Sequence, residues 1–114
     1  MSVELLPGFA ALTGQDIERV PWRPFGGMPH VHVRYLFTTP DTVAGLMRLD
    51  AGAHEARHLH VGGQHHVWVV DGTVRFDGRH LDPGSYVHVP AGMTHTMKAD
   101  ADGCTLFFVF SRGS

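Results

Sequence analysis

The chain has 114 residues, of which 43% are hydrophobic and 18% charged, and its formal net charge is −2. This length suits one domain, since domains usually contain roughly 100–150 residues. Nine lysines and arginines are scattered without a basic cluster, so we expect no nucleic-acid partner. The first ten residues lack the features of a secretory signal, and no apolar run is long enough to span a membrane, so we expect no membrane partner.

The cysteine and histidine contents indicate the cellular setting and the chemistry. A single cysteine, Cys104, excludes an internal disulfide and favours a cytoplasmic location. Ten residues are histidine. Because imidazole is the commonest metal ligand in proteins, the positions of these histidines are the main clue to function.

In chain order, the first element is a segment over 1–29 that is rich in proline and glycine. This composition predicts an irregular N-terminal segment packing on the barrel. The pattern after Thr13 allows a short helical turn but is too brief to assign one. From residue 30 the pattern changes to short apolar runs separated by turns. We therefore assign 30–114 to a β-barrel and place no further domain boundary in the chain.

The strands follow from alternation and turn residues. Residues 30–37 alternate between apolar and polar side chains, which predicts a half-buried strand. Aspartate, proline and glycine form turn signals between the later apolar runs. The runs predict strands over 42–49, 65–70, 73–76, 86–89, 94–98 and 105–110. Strands of this length and spacing indicate an all-β sandwich or barrel.

Four histidines can form one metal site. His58 and His60 are two residues apart, so on a strand they face the same side and can bind one ion. His65 follows two glycines, which allow the chain to bend and turn its imidazole to that side. His95 belongs to a distant strand. The other six are interpreted as surface or core residues: His30, His32, His54, His66, His80 and His88.

The residues around these histidines resemble the two sequence motifs of the cupin family. The first motif is matched by Gly52, His58, His60 and Gly72. The second is matched by Gly84, Pro90, Gly92 and His95, with Ala99 in place of the usual final asparagine. The resemblance implies a small double-stranded β-helix, or jelly roll, that binds one metal ion.

The third ligand position departs from the cupin motif, in which it is a glutamate. Counting back from Gly72 places His65 at this position, whereas counting forward from His60 places Gln64 there. We predict a site of His58, His60, His65 and His95, with Gln64 as the substitute if the loop is shifted. Imidazole ligands suit a divalent transition metal; we favour Fe(II), with Zn, Ni, Mn or Cu as alternatives.

The glycine pair at 62–63 and the Pro83-Gly84-x-Tyr86 sequence narrow the resemblance to one branch of cupins. These residues are similar to the cupin domain of a zinc-binding anti-sigma factor and to small dioxygenases that cleave acetylacetone or dihydroxyacetophenone. The resemblance implies a homodimeric oxidoreductase of the dioxygenase type, with a small diketone or hydroxyketone as its substrate. Two alternatives stay open, a non-oxidative isomerase or lyase and a metal-binding sensor without catalysis.

Candidate catalytic residues are Arg48, which could pair with an anionic substrate, and Tyr86. An outward, solvated arginine is an equally good interpretation of Arg48. Further candidates for the pocket are Tyr35, Met47, Trp68 and Phe108, although ordinary barrel packing is the simpler interpretation of the aromatic residues. An isomerase or lyase would need a positioned acid or base, for which the candidates are His54, Glu55 and Tyr86.

Overall fold

The structure is a computed structural model that describes residues 5–6, 9–26, 28–59 and 63–112, with the side chains of 5–6, 9–10, 54–59 and 94 left aside. Three short elements come first: β1 (Leu5–Leu6), β2 (Phe9–Ala10) and α1 (Gly14–Glu18). The main sheet contains β3 (Arg23–Phe25), β4 (Met28–Thr38), β5 (Thr42–Leu49), β6 (His54–Leu59), β7 (Gln64–Phe76), β8 (Arg79–Leu81), β9 (Tyr86–Val89) and β10 (Thr94–Ser111).

The main sheet is antiparallel throughout and is organised around β10. The order of its strands is β3-β4-β5-β10-β7-β8, with β6 paired to β10 and β9 paired to β7. The first residues of β10 pair with β6, and residues 104–111 pair with β5 instead. This exchange of neighbours divides the sheet into two parts that share β7 and β10. The expected all-β architecture is confirmed, and no helix in the described ranges is long and apolar enough to cross a membrane.

The core lies on the inner face of this curled sheet. Along β5, Met47 and Leu49 are buried, whereas the alternate residues Leu46 and Arg48 are only partly buried on the outer face. The same alternation continues on the neighbouring strands. The fully buried apolar residues include Val31, Val33, Val67, Val69, Val74, Met97, Leu106 and Phe108.

Four predicted strand ends are wrong, because the predicted strands 65–70 and 73–76 are one strand, β7, and the predicted strands 94–98 and 105–110 are one strand, β10. The turn signals at Asp71-Gly72 and Asp102-Gly103 do not end strands: β7 and β10 pass through them, with register shifts on both sides of Cys104. Both glycines have a φ of +75°. A Cβ on Gly72 would collide with the carbonyl oxygen of Gly103, so the two backbones approach closely only because Gly72 has no side chain.

The described part of the N-terminal segment contains more regular structure than expected. Helix α1 begins after Thr13, whose hydroxyl accepts a hydrogen bond from the Asp16 N–H (3.1 Å). The Asp16 carboxylate accepts one from the Thr13 N–H (2.9 Å), and this bond holds the pKa of Asp16 below its usual value. Strand β3 pairs with β4 and places Phe25 against the core. Three residues are too few to show a strand period, so sequence analysis missed this strand.

Candidate metal centre and apolar cavity

Two of the four predicted metal ligands are described with their side chains, and they lie together inside the barrel. His65 is near the start of β7 and His95 near the start of β10; they are only 4% and 1% exposed. Their ring centroids are 6.1 Å apart. Phe108 meets the His65 ring edge-on at 5.8 Å, while Phe76 stacks on His95 at 4.9 Å with an interplanar angle of 9°. Aromatic packing therefore fixes both imidazoles.

The separation of the two rings is compatible with one shared ion. A histidine nitrogen lies about 2.1 Å from a bound zinc ion, so two ring centroids on one ion are at most about 6.5 Å apart. The observed 6.1 Å is within this limit but exceeds the roughly 5.3 Å expected for two tetrahedral ligands, so tetrahedral binding would require the two rings to approach each other. Neutral imidazoles are also the donors that Fe, Ni, Cu and Zn accept in proteins. By this criterion the described residues fit a transition metal.

The other two predicted ligands can be followed only in part. His58 is in β6, and the backbone register places position 58 directly opposite position 95 of β10. Directly opposite positions of an antiparallel pair lie on the same face of a sheet. The side chain of His58 and the whole of His60 lie outside the described residues. Without them, the described histidine, cysteine and acidic side chains form no group of three that could hold a metal ion. The four-histidine site therefore remains a prediction.

The alternative ligand, Gln64, is engaged elsewhere. Its Oε1 atom is 2.8 Å from Nε2 of His88, a residue of strand β9. Gln64 and His66 flank the buried His65 along β7, and the partner of His66 in the register is also His88. Alternation along the strand therefore puts Gln64 on the outer face, away from His95.

An apolar cavity of about 230 Å³ adjoins His65. Its described wall combines one imidazole with aromatic and aliphatic side chains: Phe25, Tyr35, Val43, Met47, His65, Phe108 and Phe110. The cavity therefore offers an apolar surface that ends at a candidate metal ligand. A Cβ on Gly63 would collide with the Phe110 ring, so the glycine beside this wall lets Phe110 pack there.

Three of the six candidate pocket residues, Tyr35, Met47 and Phe108, line this cavity. Sequence analysis did not single out Phe25, Val43 or Phe110. Two of these could have been found by alternation: Val43 is four residues before Met47, and Phe110 two residues after Phe108.

The other candidates lie on the outer face of the sheet. Arg48 donates hydrogen bonds to the Thr105 hydroxyl (3.1 Å) and to the carbonyl oxygen of Asp102 (3.4 Å). Tyr86 and Trp68 are each 51% exposed, and the Tyr86 hydroxyl contacts Nδ1 of His66. These positions separate Arg48 and Tyr86 from the apolar cavity; the assignment of a catalytic role to either residue remains a prediction.

The single cysteine is not part of the candidate site. Cys104 is fully buried, and burial raises the pKa of its thiol to about 11. The positive charge of Arg48 opposes this shift but does not overcome it. The thiol therefore stays protonated at neutral pH, and Cys104 is not among the described residues that line the apolar cavity.

The curled antiparallel sheet of this protein is also the fold of solved RmlC-like cupins. The sequence of this protein matches the ChrR cupin-like domain over residues 11–112. The chain therefore belongs to the family of ChrR cupin-like domains. Among curated proteins, none matches this sequence.

Solved structures of similar fold come from proteins with different roles. KdgF from Halomonas sp. is 26% identical, with 82% of this chain and 87% of that chain covered and a TM-score of 0.70. A chain in the complex of Rhodobacter sphaeroides SigE with the anti-sigma ChrR is 23% identical, with 82% of this chain and 49% of that chain covered and a TM-score of 0.68. The polyketide cyclase RemF from Streptomyces resistomycificus is 16% identical, with 90% of this chain and 81% of that chain covered and a TM-score of 0.76. Because these roles differ, activity must be inferred from the site.

Proposed function

We propose that this protein is a metal-dependent oxidoreductase of the dioxygenase type that acts on a small diketone or hydroxyketone. The observation that carries this proposal is the position of His65, a candidate metal ligand, in the wall of a cavity whose other described side chains are aromatic or aliphatic. A substrate that fills such a cavity is largely apolar, and its polar end meets the imidazole side.

The histidines give the site its electrostatic character. His58, His60, His65 and His95 would hold the ion, and a divalent metal such as Fe(II) would supply Lewis acidity toward an enolate oxygen and redox chemistry toward dioxygen. Neutral imidazoles leave the positive charge of the site uncompensated. An enolate, which is anionic, is therefore attracted to the end of the cavity at His65.

The size of the apolar cavity limits the substrate. Pockets for drug-sized ligands usually measure about 300–1,000 Å³, and the cavity of about 230 Å³ is smaller. Phe108 and Phe110 close it beside His65, and Tyr35 contributes its aromatic ring to the wall. These side chains would exclude water from the bound substrate and hold its apolar part in place.

The described part of the cavity wall also supports oxidation over isomerisation or elimination; the side chains of the acid or base candidates His54 and Glu55 lie outside the described residues. A non-oxidative isomerase or lyase needs a positioned acid or base. Among the described side chains that line the cavity, the only ones with titratable groups are His65 and Tyr35. His65 is assigned to the metal, which leaves the Tyr35 hydroxyl as the one further proton donor among the described lining residues.

Anaerobic loading with Fe(II), followed by oxygen uptake with acetylacetone and dihydroxyacetophenone, tests the proposal. We expect uptake that depends on both metal and ketone. Val43→Trp should fill the cavity and abolish uptake while bound metal is retained, and Leu46→Trp on the outer face is the matched control. No uptake by the metal-loaded protein with any ketone contradicts the proposal and favours a sensor. Ketone conversion without oxygen favours the isomerase or lyase.

A further inference from the structure

A second cavity of about 540 Å³ opens where β7, β8 and β9 meet at one border of the sheet, and we call it the edge cleft. Its floor consists of Phe76, Leu81 and Val87, which are partly buried and pack against the core. This cavity shares no lining residue with the apolar cavity beside His65. The edge cleft is therefore a separate concave surface with an apolar floor.

The rim of the edge cleft is polar and includes Arg79, Tyr86 and His88. Two of these side chains are held by neighbours on the outer face. The Tyr86 hydroxyl contacts Nδ1 of His66, and Nε2 of His88 is 2.8 Å from Oε1 of Gln64. These contacts fix one side of the rim in position.

Arg79 is a cation of the edge cleft, and its charge is not paired with any side chain that the structure describes. The guanidinium makes no ion pair or hydrogen bond with another residue that the structure describes. The two nearest carboxylates in sequence have other partners. Asp77 accepts hydrogen bonds from the N–H and hydroxyl of Thr96 (2.7 and 3.2 Å), and Asp82 is 3.2 Å from Nε2 of His80.

We propose that the edge cleft is a second ligand site, which binds a small organic carboxylate with a flat apolar body. Arg79 supplies the planar pair of donors that a carboxylate accepts, and such charge-assisted bonds are stronger than neutral ones. Phe76, Leu81 and Val87 supply the surface for the apolar part. The volume of about 540 Å³ lies within the usual range of about 300–1,000 Å³ for ligand pockets.

Phe76 connects this site to the candidate metal centre. The same ring lines the edge cleft and lies flat on His95, with centroids 4.9 Å apart. A ligand in the cleft therefore contacts the side chain that fixes the His95 imidazole. The proposal does not require the metal or the oxygenase activity, because Arg79 and the apolar floor are present without either.

Titration of the purified full chain with benzoate, followed by NMR, tests the proposal. We expect saturable shifts of the Phe76 ring and of the Leu81 and Val87 methyl groups. Benzyl alcohol, which lacks the carboxylate, should bind to the native protein at least about tenfold more weakly than benzoate does. Benzoate should bind to Arg79→Gln, which lacks the guanidinium, at least about tenfold more weakly than to the native protein. Arg112→Gln, which removes an exposed arginine elsewhere, is the matched control and should bind benzoate as the native protein does.

Three results would overturn the proposal. The first is the absence of saturable shifts at these residues at millimolar benzoate. The second is equal binding of benzoate by the native protein and a folded Arg79→Gln variant. The third is a set of shifts confined to Val43 and Met47, which would place the probe in the apolar cavity instead.

Discussion

The inner and outer faces of the sheet carry the same residue types at adjacent positions, but these residues have different surroundings. His65 is 4% exposed and lies 6.1 Å from His95, whereas His66 is on the outer face beside Tyr86. Phe108 is buried in the wall of the apolar cavity, and Phe107 is 37% exposed. Position along the strand, rather than residue type, therefore determines which histidine is a candidate ligand and which phenylalanine belongs to the core.

The inward positions themselves change along the two long strands. On β7 the buried positions are odd-numbered up to Val69, but Val74 is the buried residue beyond Gly72. On β10 they are odd-numbered up to Ala99 and even-numbered from Cys104. The pairing of β7 with β10 is irregular between these positions, and the extra residues there shift the alternation of buried and exposed side chains by one residue. A strict period of two would therefore assign the wrong face beyond each irregularity.

The largest expected difference between the two faces is in stability. Phe108→Ala removes a buried ring and should lower the free energy of unfolding by about 3–5 kcal/mol. Phe107→Ala removes a partly exposed ring from the neighbouring position and should cost less than half as much. Urea unfolding of both variants measures the difference. Equal losses would mean that the outer face is buried in solution and would contradict the comparison.

The second prediction concerns metal binding by the adjacent histidines. His65→Ala removes a candidate ligand from the wall of the cavity and should weaken metal affinity at least about tenfold. Loss of a residue that only hydrogen-bonds to a metal ligand already costs about this much, so loss of a ligand itself should cost no less. His66→Ala changes the neighbouring position on the outer face and should leave affinity unchanged. Metal content after dialysis against a chelator of known affinity measures both effects.

Gln64→Ala completes this series because Gln64 is the alternative ligand. Its hydrogen bond to His88 lies on the outer face, so we expect the variant to retain metal as His66→Ala does. Loss of metal from Gln64→Ala together with full retention by His65→Ala would assign the third ligand to Gln64. The barrel should remain folded in all three variants, because its strand pattern does not depend on the metal.

Much of the fold was predictable from local signals. Alternation identified β5 with its observed bounds, and the cupin motifs indicated the barrel and His95 as a distant partner of His65. The Asp-Gly pairs at 71–72 and 102–103 misled the analysis, since such pairs usually form hairpin turns. Here Gly72 of β7 pairs with Cys104 of β10, directly after Gly103, and this long-range contact is contained in no local pattern.

The functional site was predictable to a different extent. Tyr35, Met47 and Phe108 were among the candidates and line the apolar cavity, whereas Arg48 and Tyr86 lie on the outer face. The residue type of a charged or phenolic side chain does not by itself show which face of a strand it occupies. Arg48 could have been placed by its neighbours, because it lies between two apolar positions, Met47 and Leu49, that are both buried.

The third prediction uses the buried thiol of the inner face. Burial raises the pKa of Cys104 to about 11 from its usual 9.0. Below about pH 8 the thiol is protonated in both the folded and the unfolded chain, so it does not make stability depend on pH there. Between about pH 9 and 11 the unfolded chain loses a proton that the folded protein keeps, and the free energy of unfolding should fall as the pH rises.

Urea unfolding of the native protein and Cys104→Ala at a series of pH values measures this effect. The variant should be less stable at every pH because it lacks a buried sulfur, but its stability should decline less steeply above pH 9. All other ionisable groups are the same in both proteins, so the difference between the two slopes is the informative quantity. Parallel slopes would show that the Cys104 thiol is exposed to solvent in the folded protein.

The smallest effect is expected at a polar contact of the outer face. Tyr86→Phe removes the hydroxyl that contacts His66 but keeps the ring, which is 51% exposed and lies 6.1 Å from the Trp68 ring. Water can replace the lost partner of His66 at this surface, so the free energy of unfolding should change by less than about 0.5 kcal/mol. A loss above about 1 kcal/mol in urea unfolding would mean that water cannot reach this contact. The outer face would then be covered in solution, and the contrast between His65 and His66 would have to be explained by something other than their exposure.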